Sequence, residues 1–401
     1  MAEKTLKRID PVRSRPPEYG SASVTLGRPA SNGIDWILII FIAPIIAGGL
    51  VTMKSFAPLE ATGDFFGKQV LWVLISLAVF FIFSFIDFRF LKRTDVLVFL
   101  FLSVSFILLA LIVLGQITHG AKSWFNFGPF FFQPVDLMKL ILVLVLAKYF
   151  SRRHVEIRDI KHIFISGFYA FVPLVLVLLQ PDFGSAMLIF FIWLGMVLVS
   201  GISKVHLLAV FATGVLIFAT LWFFVFAPYQ KARIYNFINP LTDIHKTGYN
   251  VFQSTIAVGS GQLIGKGLGF GTQSRLKFLP VPQSDFVFAA YAEEWGLVGS
   301  FLILLLYLLV IWRILYFASL GASNFEILFG MGMAIFLMSH IFVNIGMNLG
   351  LLPVTGIPLP FMSYGGSHLL TEFAGLGILM GMRKYSRSAH PDDMKHEFLG
   401  V

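Results

Sequence analysis

The chain is a succession of apolar runs, each close to the roughly 20 residues that cross a bilayer as a helix. We read ten of them, at 34–53, 69–87, 95–115, 134–150, 163–180, 185–201, 205–227, 285–312, 326–348 and 367–383. Few architectures accept such a string, because a lipid solvent requires every backbone polar group to be satisfied internally. The expectation is an all-α polytopic membrane protein with about ten transmembrane helices and a large structured extracytoplasmic loop before the eighth. Composition agrees: 57% of residues are hydrophobic and only 13% are charged, about half the charged share of a soluble domain. The chain has no cysteine, which rules out disulfides, thiolate metal sites and a cysteine nucleophile.

The net charge of +9 raises the question of nucleic acid, but the positions of the charges answer a different one. Basic residues follow the second, fourth and tenth runs (Arg89, Lys92, Arg93; Arg152, Arg153, Arg158, Lys161; Arg383, Lys384, Arg387), and the loops of opposite parity hold few. By the positive-inside rule both termini are cytoplasmic. Residues 1–33 read as a disordered cytoplasmic tail without a signal peptide, 34–385 as the transmembrane domain, and 386–401 as a second cytoplasmic tail. The segment 228–284 then lies outside. Its aromatic residues, the helical character of 249–258 and six glycines between Gly259 and Gly271 make it a structured cap rather than a linker.

Polar residues inside apolar runs are costly and therefore informative. Asp285 stands where loop 275–284 becomes a helix, and the residues leave it open between a helix cap and a catalytic or ligand-binding carboxylate. Asp182, in QPDFGSA, is open between a cap and a ligand-binding group. Asp136 and Lys139 share a helix face at i,i+3, either as an internal ion pair or as a phosphate-binding lysine beside an acid. Glu293 and Glu294 lie too deep in a helix to cap it and read as internal struts. His340, Asn344 and Asn348 form a stripe suited to hydrogen bonds across helices. His368 and Glu372 form a second i,i+4 pair. The irregular segment PVTGIPLPFMSYGG, 353–366, is expected to line the cavity that holds Asp285. Lys122, Lys139, Lys231, Arg233, Arg275 and Lys277 fall on the outer side and suit a pyrophosphate. GKGLGFG lacks the strand–turn–helix context of a nucleotide loop.

The motifs GAKSWFNFG with FQPVDLMK, QPDFGSA, PYQKARIYNFINP, GYNVFQSTIAVGSGQLIGKGLGFGTQS, FLPVPQSDFVFAAYAEEWGLVG and LPVTGIPLPFMSYGGS resemble the SEDS family (shape, elongation, division and sporulation) over roughly 34–385, its elongation branch more than its division branch. The resemblance implies a peptidoglycan glycosyltransferase of the bacterial inner membrane, polymerising lipid II on the outer face beside a class B penicillin-binding protein and the elongation machinery. It places the family's essential acid on Asp285, its QPDLG aspartate on Asp182, and its QPSE-x-x-K acid and lysine on Asp136 and Lys139. Three positions depart from the family pattern: Gln283 replaces a His, Asp136 is one methylene shorter than the usual Glu, and Ser123 replaces a basic residue, with Lys122 one place earlier.

The implied reaction is an inverting displacement of undecaprenyl pyrophosphate, with Asp285 as general base and with Lys122, Asp136, Lys139, Asp182, Arg233 and Lys277 toward the substrate. No cofactor follows from the residues, although Mg²⁺ or Mn²⁺ could share the pyrophosphate. A lipid II flippase and a scaffold for the transpeptidase are the competing classes; the acids at one mouth of the bundle favour the enzyme.

Overall fold

The computed structural model describes residues 34–56, 65–118, 121–127, 130–152, 160–224, 231, 235 and 248–386. Both expected tails, most of 225–247 and Arg233 lie outside the described residues, and Lys122 is described by its backbone alone. Ten helices of 17 residues or more fall where the apolar runs were read: α1 (Trp36–Phe56), α2 (Phe65–Phe85), α3 (Thr94–Leu114), α4 (Pro134–Ser151), α5 (Ile160–Leu178), α6 (Phe183–Val199), α7 (Lys204–Phe224), α9 (Val287–Ser319), α10 (Asn324–Asn348) and α11 (Gly366–Ser386). Between α7 and α9 comes α8 (Tyr249–Ser260), inside the stretch read as an outer cap.

Seven of these helices are long and apolar enough to cross a membrane, and α6 is a shorter apolar helix. The exceptions, α4 and α11, carry Asp136, Lys139 and Lys148 in one and Glu372, Arg383 and Lys384 in the other. They are also among the most enclosed: α4 buries thirteen of its 18 residues. Helices lodged inside a bundle meet protein rather than lipid, so their charges find partners there. The expectation of an all-α chain needs one correction. Residues 116–132 form a small antiparallel sheet, β1 (Gln116–Thr118), β2 (Ala121–Phe127) and β3 (Phe130–Phe132), with Gln116 paired to Trp124 and Phe125 to Phe132.

Small residues let the helices close on one another. A Cβ at Gly377 of α11 would lie 2.7 Å from the Phe83 side chain of α2, and one at Gly381 would lie 2.7 Å from the Phe83 carbonyl. One end of the bundle is marked by exposed Trp36, Trp312 and Tyr316, a belt typical of the membrane interface. There Arg313 of α9 binds Asp35 ahead of α1 at 2.5 Å, and Lys92 reaches Glu326 at 3.3 Å.

The 33-residue α9 is broken once, at Gly296, whose φ of 67° and ψ of −164° are reserved for glycine. A Cβ there would also collide with the backbone of Leu263, Ile264 and Gly265. Gly296→Ala should cost at least the roughly 1–3 kcal/mol of such strain. The check is a lower midpoint in detergent-solubilised thermal unfolding; an unchanged midpoint would show that the break can straighten.

Candidate active site at the head of the broken helix

Asp285 lies just ahead of α9. The cap position falls on Phe286 and carries no side-chain cap bond, so the helix is capped from elsewhere. Asn348 does it from the end of α10: its Oδ1 accepts the Ala289 N–H at 3.1 Å, and its amide donates to the Asp285 carbonyl at 3.0 Å. Asn344, one turn earlier, donates to the same carbonyl at 3.0 Å and to the Ile357 carbonyl at 2.7 Å. The two preceding residues are held from the irregular segment: Ser363 Oγ donates to the Ser284 carbonyl at 2.6 Å, and the Tyr364 N–H to the Gln283 carbonyl at 2.8 Å. The backbone of 283–285 is thereby fixed on both sides. The side chain remains half-buried, with Oδ1 accepting from Ser284 Oγ at 3.0 Å and Oδ2 facing Gly356. Segment 353–366 thus meets Asp285 as expected, and two residues of the stripe, Asn344 and Asn348, make their hydrogen bonds across helices at the same place.

One turn along α10 from Asn344 lies a buried ionic cluster. Lys139 Nζ donates to Asp136 Oδ1 at 2.8 Å and approaches His340 Nε2 at 3.3 Å. His340 Nδ1 lies 2.9 Å from the Phe336 carbonyl, which can only accept. That nitrogen therefore carries the hydrogen, and Nε2 is left to receive the ammonium. Asp136 Oδ2 accepts from Ser367 Oγ at 3.2 Å. His368 stands between two carboxylates, its Nε2 2.8 Å from Glu372 and its Nδ1 3.8 Å from Asp136. Glu372 also accepts the Phe361 N–H at 3.0 Å, which ties the cluster to the segment beside Asp285. Lys139 is only 1% exposed, so the internal ion pair is what the geometry shows.

Asp182 proves to be a cap: it accepts the Ser185 N–H at 3.0 Å and Ser185 Oγ at 2.8 Å at the start of α6, and it receives Gln133 from the foot of α4 at 3.3 Å. Lys277 is exposed on the loop before Asp285. Glu293 is a strut, but for the segment 266–274 rather than for a neighbouring helix. It accepts from Lys266 Nζ at 2.8 Å, from the N–H groups of Gln273 and Ser274, and from the hydroxyls of Thr272 and Ser274. Glu294 receives the Gly269 N–H at 3.0 Å.

A family model described as cell cycle protein, spanning FtsW, RodA and SpoVE, matches residues 34–388. The peptidoglycan glycosyltransferase MrdB of Escherichia coli K12 is 39% identical over 290 residues, covering 72% of this chain and 78% of that protein. Stage V sporulation protein E of Bacillus subtilis is 35% identical over 370 residues, covering 88% and 98%. The chain belongs to the FtsW/RodA/SpoVE family. Solved structures agree: a peptidoglycan synthase complex that coordinates polymerization and crosslinking contains a chain 31% identical, with a TM-score of 0.74 and coverage of 89% and 99%. The rod-shape-determining protein RodA of Thermus thermophilus is 28% identical, with a TM-score of 0.65 and coverage of 88% and 97%.

Among the described residues one group has metal-ligand spacing, Asp136, His340 and His368, with donor atoms within 4.8 Å of one another. It does not fit a divalent ion, because the Lys139 ammonium already bonds two of the three. The lysine serves as the resident cation. Asp136→Asn strips that buried ammonium of its counter-charge and should destabilise the bundle by about 3–5 kcal/mol. Asp136→Asn combined with Lys139→Met should recover most of the loss. Chemical unfolding of the single and double variants in detergent measures both; equal losses would mean that the pair is not coupled.

Proposed function

We propose that this multi-pass membrane protein polymerises lipid II into glycan strands, with Asp285 as the general base. What carries the reading is the carboxylate at the head of α9: half-buried, on a backbone fixed by donors from α10 and from segment 353–366, in a member of a family that contains the glycosyltransferase MrdB. A rigid backbone under a reachable carboxylate is what proton abstraction requires.

The donor carries an α-linked pyrophosphate and the product linkage is β, so one in-line displacement suffices. The acceptor 4-hydroxyl attacks the anomeric carbon as the bond to the pyrophosphate oxygen breaks. Asp285 takes the hydroxyl proton, and undecaprenyl pyrophosphate departs with the electron pair. We assign Lys277, exposed on the loop before Asp285, to the leaving phosphates, with Lys122 and Arg233 as further candidates. Lys139 acts from inside, holding Asp136 and His340 beneath the floor of the site. Asp182 shapes the same mouth by joining α4 to α6. Both termini face the cytoplasm in this reading, the site opens on the outer face, and the growing strand passes to a class B penicillin-binding protein. The complex found for a relative of 31% identity supports such a partner.

Two variants test the assignment with lipid II and the purified protein, alone and with its transpeptidase. Asp285→Asn should lower the polymerisation rate by about 10²–10⁴-fold, the usual worth of a general base, with an unchanged melting temperature. Wild-type activity in that variant would remove Asp285 from the chemistry. Asn348→Ala, which leaves the carboxylate in place but frees its backbone, should lower kcat by up to about 10²-fold, the scale of a misplaced catalytic group, with KM little altered.

A further inference from the structure

Residues 262–270 were read as part of an outer loop, yet their backbone is bonded well inside α9. The Gln262 and Leu263 carbonyls accept the N–H groups of Leu297 and Val298 at 2.8 and 3.1 Å, and the N–H groups of Lys266 and Gly267 donate to the Glu293 and Glu294 carbonyls at 3.0 Å each. The break at Gly296 exposes these groups, and a Cβ at Gly265 would collide with the Glu294 carbonyl.

Two observations give the depth of that contact. The exposed Trp312 and the Arg313–Asp35 pair mark one membrane boundary. From Trp312 to Gly296 the helical rise is about 24 Å, short of the roughly 30 Å of hydrocarbon, and tilt shortens it further. Independently, α1 starts beside Asp35 and runs 21 residues, about 30 Å, and Ser55 near its far end faces Glu294. Both measures set Gly296 at or just inside the second boundary.

The tip bonded there is apolar outward. Leu263 is 65% and Ile264 84% exposed, and Leu268 and Phe270 are exposed as well. They adjoin the bare stripe of Leu297, Val298 and Phe301 on α9. Lys266, the charge nearest the tip, is bound by Glu293, whereas Arg275 and Lys277 are exposed further back. Apolar residues at the tip and cations behind them suit a segment seated in a leaflet. We propose that residues 262–270 are a membrane anchor, with Leu263, Ile264, Leu268 and Phe270 among the acyl chains of the leaflet nearest Asp285, and with Arg275 and Lys277 at its phosphates. The Glu293 clamp holds the anchor to α9, so the loop that leads to Asp285 is tethered at lipid depth. The depth of the anchor does not rest on the catalytic role of Asp285, and Lys277 is the one residue it shares with that reading.

The absence of native cysteine makes the test direct. Ile264→Cys in the full-length protein is labelled with an environment-sensitive nitrobenzoxadiazole and reconstituted in vesicles containing nitroxide-labelled lipids, with Val298→Cys and Tyr316→Cys as lipid-facing and interface references. The expected result is blue-shifted emission at 264, quenched by acyl-chain nitroxide several-fold more strongly than by aqueous iodide, as at 298. Labelled Leu263→Cys should behave alike, which guards against a single perturbed site. Iodide quenching at both positions would overturn the proposal, as would protection from water that develops only when the transpeptidase is added, since a protein would then be the occupant.

Discussion

Asn348 faces two ways, and the site depends on both. Its oxygen receives the Ala289 N–H, in the first turn of α9, and its nitrogen donates to the carbonyl of Asp285. A helix that starts beside lipid leaves several N–H groups without intrahelical partners, and in most helices a neighbouring side chain supplies the acceptor. Here that acceptor sits on another helix, so the start of α9 is held to the end of α10. The cap of α9 thus comes from Asn348, and the backbone of 283–285 cannot move without breaking bonds to α10 and to segment 353–366.

The same economy runs through the cluster below. In hydrocarbon an unpaired charge is costly, and here Asp136, Lys139, His340, His368 and Glu372 answer one another across α4, α10 and α11. Such a network adds little net stability compared with apolar packing. What it adds is direction: Glu372 holds the Phe361 N–H and His340 continues the asparagine stripe, so the charges set the irregular segment against the Asp285 loop. Lys139 shows the distinction. Its residue type and position suggested a phosphate contact, and its enclosure makes it part of the frame.

Local chemistry was legible in the sequence and tertiary chemistry was not. Asp182 in QPDFGSA sits three residues before the N–H that it caps, and the i,i+3 spacing of Asp136 and Lys139 sufficed to suggest their pairing. Asp285 could not be settled that way, because the groups that free it from capping lie at Asn344, Asn348 and Ser363, remote in the chain. The buried carboxylates 293 and 294 demanded partners, but nothing local showed that Lys266, Gly269 and Thr272–Ser274 would come back to them. Hydropathy was weakest at α4 and α11 for a physical reason: helices that carry the ionic cluster are interior and need not be uniformly apolar. The strands at 116–132 were missed because their Phe-rich pattern lies between two spans and reads as part of an outer loop.

The break at Gly296 gives α9 two unequal parts. Residues 287–295 are held by polar bonds at both ends, Asn348 above and the 262–274 segment below. Residues 297–319 turn Leu297, Val298, Phe301, Leu302 and Leu308 to lipid and reach Arg313 at the far boundary. With the i→i−4 ladder interrupted, residues 262–267 bridge the break: the Gln262 and Leu263 carbonyls accept from Leu297 and Val298 of the long part, and the Lys266 and Gly267 N–H groups donate to the Glu293 and Glu294 carbonyls of the short one. The glycine opens backbone groups, the 262–267 segment takes them up with the two glutamates, and the asparagine stripe fixes the head, so both parts of α9 are held by bonds that do not need a continuous helix.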